Sequence, residues 1–517
     1  MTPDAPSAVT AWTWPRLTAL RRNVAANLVG RAWVMALGIA FIPVYLHFLG
    51  IEAYGLVGFF ATLQAVFGLL DLGLGATINR ELARLSAGSE RRREQRILLR
   101  TLEACYWGIS STAGLLVLLL APAIAHHWVQ VSTLSPLTVE RAVRLMGLVL
   151  ALQLPFAFYQ AALMGLQRQV ALNVILVVTA TARSVGTWLV LWKVSASVEA
   201  FFICQTIVSL AQIAGTLLFV WLSIGGALTA RPRWATLAPI WRYAAATSAN
   251  SIVGIALTQT DKILLSRLLP LDQFGYYALA GTMASFVWAV VIPINQALFP
   301  RFAQLVELGD HVTLSALYHR ASQVMTVAVV PAAATVVLFA WQLLALWTHS
   351  IRTADETAAI AALLIAGTAM NALVSVPSYL QSAAGWPSLM FYTNLIAAIV
   401  LVPAILFATP RYGAVGAAFV WFVLNAGYLL FNVPAMHRRL LPGELWRWYR
   451  ADLAGPAAAA IVVAILGRAA MPGAALASRW LMAAWIGGVG LLALAAAVLM
   501  AGTLRPAVLA RLTPARS

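Results

Sequence analysis

Long apolar runs, broken only briefly by polar residues, dominate the chain. A helix needs about 20 mostly apolar residues to cross a bilayer. Fourteen segments meet that length, at approximately 28–49, 54–79, 101–125, 145–165, 170–192, 199–223, 244–266, 275–300, 321–346, 358–381, 389–408, 413–433, 453–471 and 480–503. Lipid offers unpaired backbone groups no partner, so each segment is expected as a helix. The alternating pattern of an outer-membrane barrel is absent. The expected fold is an all-α polytopic integral membrane protein with about 14 transmembrane helices. Pro43, Pro155, Pro293, Pro331, Pro377 and Pro403 lie inside spans, where kinks and hinges are tolerated.

Composition agrees. Of 517 residues, 62% are hydrophobic and 10% are Asp, Glu, Lys or Arg. A typical soluble domain carries roughly 25% charged residues. A soluble globular chain is therefore excluded, as is a disordered one. The net charge of +17 would suggest nucleic acid in a soluble protein. Here most basic residues fall in alternate loops, among them Arg80, Arg84, Arg91, Arg92, Arg93, Arg96 and Arg100 after the second span. That is the positive-inside bias, with both termini cytoplasmic. The charge is topological, and no nucleic-acid partner is expected. Residues 1–22 lack the apolar core of a signal peptide. Trp12, Trp14, Leu17 and Leu20 beside Arg16, Arg21 and Arg22 predict an interfacial segment on the inner leaflet. Cys105 and Cys204 lie in apolar stretches and read as small core residues. The seven histidines are scattered.

An offset of 220 residues brings parts of the sequence back. Leu49-Gly50-Ile51-Glu52-Ala53-Tyr54-Gly55 meets Leu269-Pro270-Leu271-Asp272-Gln273-Phe274-Gly275. Ala83 and Leu85 meet Ala303 and Leu305, Tyr159 meets Tyr379, and Gly165 meets Gly385. Asn173 falls beside Asn394. Six spans per unit is an even number, so the expected arrangement is two parallel six-helix repeats around a central cavity, plus two C-terminal helices. The expected division is a cytoplasmic segment 1–22, an N-lobe 23–223, a cytoplasmic linker 224–243 and a C-lobe 244–433. A cytoplasmic loop 434–452, a helix pair 453–503 and a cytoplasmic tail 504–517 follow.

A charge at the centre of a span costs about 2.5–3.5 kcal/mol on insertion scales and needs a reason. Arg183 falls near the midplane of span five, where it either faces a polar lumen or bonds to a neighbouring helix. Arg31 lies in the first turns of span one, where it snorkels inward or lines the inner mouth of a cavity, on a face shared with Asn27. In span seven Thr247, Asn250, Ser251, Gly254, Thr258 and Asp261 lie within about 80° on a helical wheel. That stripe fits a cavity wall or a close-packed helix seam. Lys262 either joins the cavity or snorkels outward. Asp71 in span two is a carboxylate to be paired with Arg31 or Arg80, or a titrating group. No metal-ligand constellation and no phosphate-binding loop is visible.

The run Asn27 … Gly30 … Pro43 … Leu49-Gly50 … Tyr54-Gly55-Leu56 … Leu70-Asp71-Leu72-Gly73-Leu74 … Thr77 … Arg80 resembles the opening of bacterial polysaccharide exporters of the O-antigen flippase (Wzx) type. Thr260-Asp261-Lys262-Ile263-Leu264-Leu265, followed by Gly275-Tyr276-Tyr277, is similar to that family's seventh span. The resemblance covers about residues 23–435. The same superfamily holds the MATE drug exporters and the MurJ-type lipid II flippases, and fourteen spans is the MurJ number, where the last pair contributes a lipid groove. The resemblance implies a flippase of the bacterial inner membrane that moves an undecaprenyl-diphosphate-linked oligosaccharide outward by alternating access. It implies membrane lipid, the lipid-linked glycan, and polysaccharide polymerase and chain-length proteins as partners. No cofactor is expected beyond H+ or Na+ coupling. On that reading Arg31, Arg183, Asn27, Asn250, Thr258 and Lys262 contact substrate, while Asp261 and Asp71 are the coupling carboxylates. The alternatives are a MATE-like drug or cation antiporter, and a membrane polysaccharide polymerase or glycosyltransferase. Short loops with few acids disfavour an enzyme.

Overall fold

The computed structural model describes residues 14–86, 92–225, 231–234, 254, 257–474 and 478–506. Its regular elements are helices, and one isolated bridge joins Gln130 and Pro270. Eleven helices among the described residues are long and apolar enough to cross a membrane. The chain is thus an all-helical, multi-pass membrane protein.

The lower count has a local cause. Helix α1, Trp14–Gly68, carries the first span and most of the second, and its course breaks at Gly50, where φ is 76° and ψ 171°. A further helix, Ser388–Gly427, carries spans eleven and twelve and folds at Gly413, with φ 59°. Glycine adopts these angles without a Cβ clash. Span seven lies mostly outside the described residues. The second span also stops earlier than expected. Leu72 and Gly73 are left-handed, at φ 48° and 73°, so the Leu70-Asp71-Leu72-Gly73-Leu74 motif is a helix break. The chain restarts as α2, Leu74–Leu85, which buries Leu74, Ile78, Leu82 and Leu85 along one stripe.

The next helices are α3 (Arg92–Ala123), α4 (Pro136–Gly165), α5 (Gln169–Lys193) and α6 (Val198–Ile224). A helix over 257–268 is α7. Then come α8 (Leu271–Glu307), α9 (His311–Leu338), α10 (Ala340–Thr348), α11 (Ile351–Ala383), α12 (Ser388–Gly427) and α13 (Val433–Leu440). The last two are α14 (Gly455–Ala469) and α15 (Arg479–Met500).

Two compact units result. The first comprises Met1–Leu49, Leu63–His126 and Ser135–Ser251; the second comprises Gly50–Thr62, His127–Leu134 and Ile252–Ser517. In the first, α4 packs on α2, α3 and α6. Leu82, Leu99, Phe158, Tyr159 and Val220 form its buried core. Glu103 sits inside that core, accepting hydrogen bonds from Tyr159 and, at 3.2 Å, from Trp221, and pairing with Arg100 at 2.6 Å. Gly114 lets α3 approach α4, because a Cβ there would lie 2.6 Å from the Ala151 side chain.

In the second unit α11 packs on α8, α9 and α12, and the pair α14–α15 packs on α9. Phe339, Ala464, Met482, Ile486 and Val489 seal the helix pair to α9. A polar cluster completes the attachment. The buried His319 ring bonds to Asp452 through Nδ1 and to Glu444, at 3.1 Å, through Nε2. Gln323 donates to Asp452 at 2.9 Å and accepts from the backbone N–H of Thr503 at 2.9 Å. Span nine thereby holds the residues that enter and leave the C-terminal pair.

Candidate functional site

Besides the Glu103 and His319 clusters, polar side chains inside the described spans gather at one place in each unit. In the first unit α1, α5 and α6 supply them. Asn27 donates to Gln169 at 3.0 Å and accepts from Asn173 at 2.5 Å. Two turns up, Trp33 donates to Thr181 at 2.9 Å. Arg183 follows on α5. Its Nη2 donates to Ser209 at 3.3 Å and to Gln212 at 3.1 Å, and Gln212 donates on to Thr179 at 3.1 Å. These acceptors are all neutral. Among the described residues no carboxylate pairs with Arg183. The guanidinium has five N–H donors, so its charge and several donors remain for a ligand. Arg31 is exposed, one turn beyond Asn27.

Asp71 occupies the turn before α2. It accepts from the Tyr106 hydroxyl at 2.5 Å and from the Gly75 N–H at 3.3 Å, so its hydrogen bonds go to a tyrosine and a helix start rather than to Arg31 or Arg80.

In the second unit α7, α8, α11 and α12 enclose a cavity of about 490 Å³. Thr258, Asp261, Lys262, Tyr277, Asn371 and Asn394 are among its walls. Asp261 is 6% exposed. Its Oδ2 accepts from Tyr277 at 2.7 Å, while its buried Oδ1 has no hydrogen-bond partner among the described residues. A buried carboxylate oxygen left unpaired is costly, and a proton or a cation would satisfy it. Lys262 donates to Gln259 at 3.4 Å. Asn371 donates to Asn425 at 2.5 Å, and Tyr428 donates to Asn394 at 2.7 Å. The cavity thus sets one acid, one lysine and several amides and hydroxyls among apolar walls that include Leu257, Trp288, Leu364 and Val374.

The structure brings Thr258, Asp261 and Lys262 to one cavity, and Asn27 and Arg183 onto the polar faces of the first unit. Asn250, with Thr247 and Ser251, lies outside the described residues. Gln169, Gln212, Asn371 and the His319 cluster were not singled out from sequence, and Tyr277 was read only as part of the Gly275-Tyr276-Tyr277 motif. Asn394 was legible only as the repeat partner of Asn173.

The chain matches known proteins at two levels. Residues 20–306 match the family described as polysaccharide biosynthesis protein. No curated protein matches the chain. Among solved structures, the inward closed lipid II flippase MurJ superposes with a TM-score of 0.69 at 10% identity, covering 94% of this chain and 99% of that one. An inward-facing multidrug resistance MATE family transporter of the MOP superfamily gives 0.68 at 12% identity, covering 79% and 94%. The MATE multidrug transporter DinF-BH gives 0.59 at 16%, covering 85% and 98%. Those identities show a shared fold, that of membrane transporters and flippases. With the match extending over more than half of its length, the chain belongs to the polysaccharide biosynthesis protein family.

Proposed function

We propose that the protein is a flippase of the bacterial inner membrane, moving an undecaprenyl-diphosphate-linked oligosaccharide from the inner to the outer leaflet. Family membership supports a role in polysaccharide assembly, and the fold shared with MurJ supports lipid-linked cargo. The observation that carries the anionic cargo is Arg183, a mid-membrane guanidinium whose hydrogen-bond partners are neutral. Such a cation is a ready ligand for diphosphate. Arg31 receives the diphosphate at the inner mouth, and the amides around Asn27 contact sugar. In the second unit Asn371, Asn394, Thr258 and Lys262 give the glycan a polar path, and Asp261 takes up H+ or Na+ to bias the cycle of alternating access. Asp71, already bonded to Tyr106, is the weaker coupling candidate. No chemistry is performed on the cargo, so the protein is not an enzyme.

A MATE-like antiporter for cationic drugs is the second reading, favoured by the cavity around Asp261 and by the MATE superpositions. Purified protein in vesicles separates the two. Translocation of a labelled polyprenyl-diphosphate oligosaccharide, read by an impermeant lectin, supports flipping. Proton-driven uptake of a cationic dye without glycolipid movement supports the antiporter.

A further inference from the structure

The two arms of α12, folded back at Gly413, leave a groove of about 570 Å³ between them. Ile396, Val400 and Ala404 line it from the first arm, and Phe419, Val423 and Gly427 from the second. The first-arm positions recur with helical spacing from Thr393 to Ala404, a length of about 17 Å at roughly 1.5 Å per residue. That is about half of a hydrocarbon core roughly 30 Å thick, or one leaflet. The walls are apolar along this length, with Thr393 and Asn432 together at one end. Beyond that end the Arg439 guanidinium lies 4.4 Å over the Trp386 ring, and Arg438 beside it is exposed. Neither arginine has an ion-pair partner among the described residues. A one-leaflet apolar slot ending at two unpaired cations matches an amphiphile with a hydrocarbon chain and a phosphate head.

Leu424 and Tyr428 line both this groove and the polar cavity around Asp261. The Tyr428–Asn394 hydrogen bond joins the two arms at that shared wall. We propose that the groove is the docking site for the polyprenyl chain of the carrier lipid, with its diphosphate first held by Arg438 and Arg439 on the cytoplasmic side. Continuity with the polar cavity selects the carrier lipid over a bulk phospholipid: the tail stays in the membrane while the head group passes the shared wall. The inference rests on the flippase reading and assigns the tail to α12.

The test uses the full chain in lipid discs of phosphatidylethanolamine and phosphatidylglycerol, with a polyprenyl diphosphate carrying a photoreactive diazirine in its chain. Labelling is expected on the peptides that contain Ile396–Ala404 and Phe419–Asn432. Excess unlabelled polyprenyl diphosphate should suppress it, and added phosphatidylglycerol should not. Val400→Trp and Val423→Trp, at half-exposed groove positions, should reduce labelling about tenfold, the factor for losing roughly two methylenes of burial. Ile399→Trp, somewhat more exposed and off the groove, should leave it unchanged. Arg438→Gln with Arg439→Gln should weaken competition by the diphosphate. Labelling elsewhere, or equal competition by phosphatidylglycerol, would overturn the proposal, and the wild-type arms decide this without any variant. Normal glycan export by the groove variants sinks the groove alone. Failure of the wild type to export glycan sinks the flippase reading.

Discussion

Gly55 and Gly275 stand 220 residues apart and close-pack against each other's helix. A Cβ on Gly55 would collide with the carbonyl oxygen of Leu271, and a Cβ on Gly275 with that of Ile51. Ile51 and Leu271 are separated by the same offset, so the contact is isologous: each segment presents to the other what it receives. One turn on, a Cβ on Gly58 would lie 2.5 Å from that of its equivalent, Ala278. The repeat motif is therefore a packing device, with small residues letting two backbones touch. The obstacle is backbone rather than a flexible side chain, so the helices must separate to admit any side chain.

Gly55→Leu and Gly275→Leu should each destabilise the protein by about 1–3 kcal/mol, the usual cost of overpacking. Because both act on one contact, the double variant should cost less than the sum. Thermal unfolding in detergent measures this, and full additivity would show that the contact is not shared.

Asp452→Asn removes the partner that His319 shares with Gln323. Both ring nitrogens of His319 face carboxylates, so the ring is held between Asp452 and Glu444. Breaking a buried pair on one side typically costs about 3–5 kcal/mol. The expected outcome is selective loosening of α14 and α15, seen as faster hydrogen exchange there than in α2–α4. Uniform change throughout the chain would contradict the anchoring role.

Glu444 gives the pH dependence of that anchor. It lies between spanning helices. Burial raises its proton affinity, but the charges of His319 and Arg447 and their hydrogen bonds outweigh burial and hold the carboxyl below its ordinary value. A depressed folded pKa means stabilisation that is present above the unfolded pKa and lost as pH falls through the folded one. Glu444→Gln should therefore flatten the acid limb of stability against pH. An acid limb as steep as that of the wild type would remove Glu444 from the account.

Asp261→Asn should leave the Tyr277 contact largely intact while removing the carboxylate charge at the unpartnered Oδ1. Transport in vesicles should persist at a reduced rate and lose its response to an imposed H+ or Na+ gradient. A response of wild-type size would exclude Asp261 as the coupling group.

Much of this was legible in the apolar pattern. Each expected span reappears as helix over most of its described residues, because length and hydropathy largely decide what crosses lipid. Where the pattern misled, backbone conformation was the reason. The breaks at Gly50 and Gly413 fall where the expected spans meet, whereas the left-handed Leu72 interrupts a run that hydropathy reads as unbroken. The Arg183, Asp261 and Lys262 sites announced themselves as charges in apolar surroundings. The His319–Asp452 pair did not. Its partners are 133 residues apart, each lies at the edge of a span, and neither looks out of place alone. Likewise the amides that line the cavity carry no spacing code, since each arrives from a different helix.

Lipid-linked glycan measured in a deletion strain, with the leaflet of the glycan assigned, decides whether the protein is a flippase. Inner-leaflet build-up is expected, rescued by the wild-type chain and not by Arg183→Ala. Losing one charge-assisted contact should slow export by roughly 10–100-fold at equal protein levels. Rescue by Arg183→Ala at the wild-type rate would return Arg183 to helix packing. Outer-leaflet build-up of single repeat units, or no build-up at all, would contradict the flippase itself.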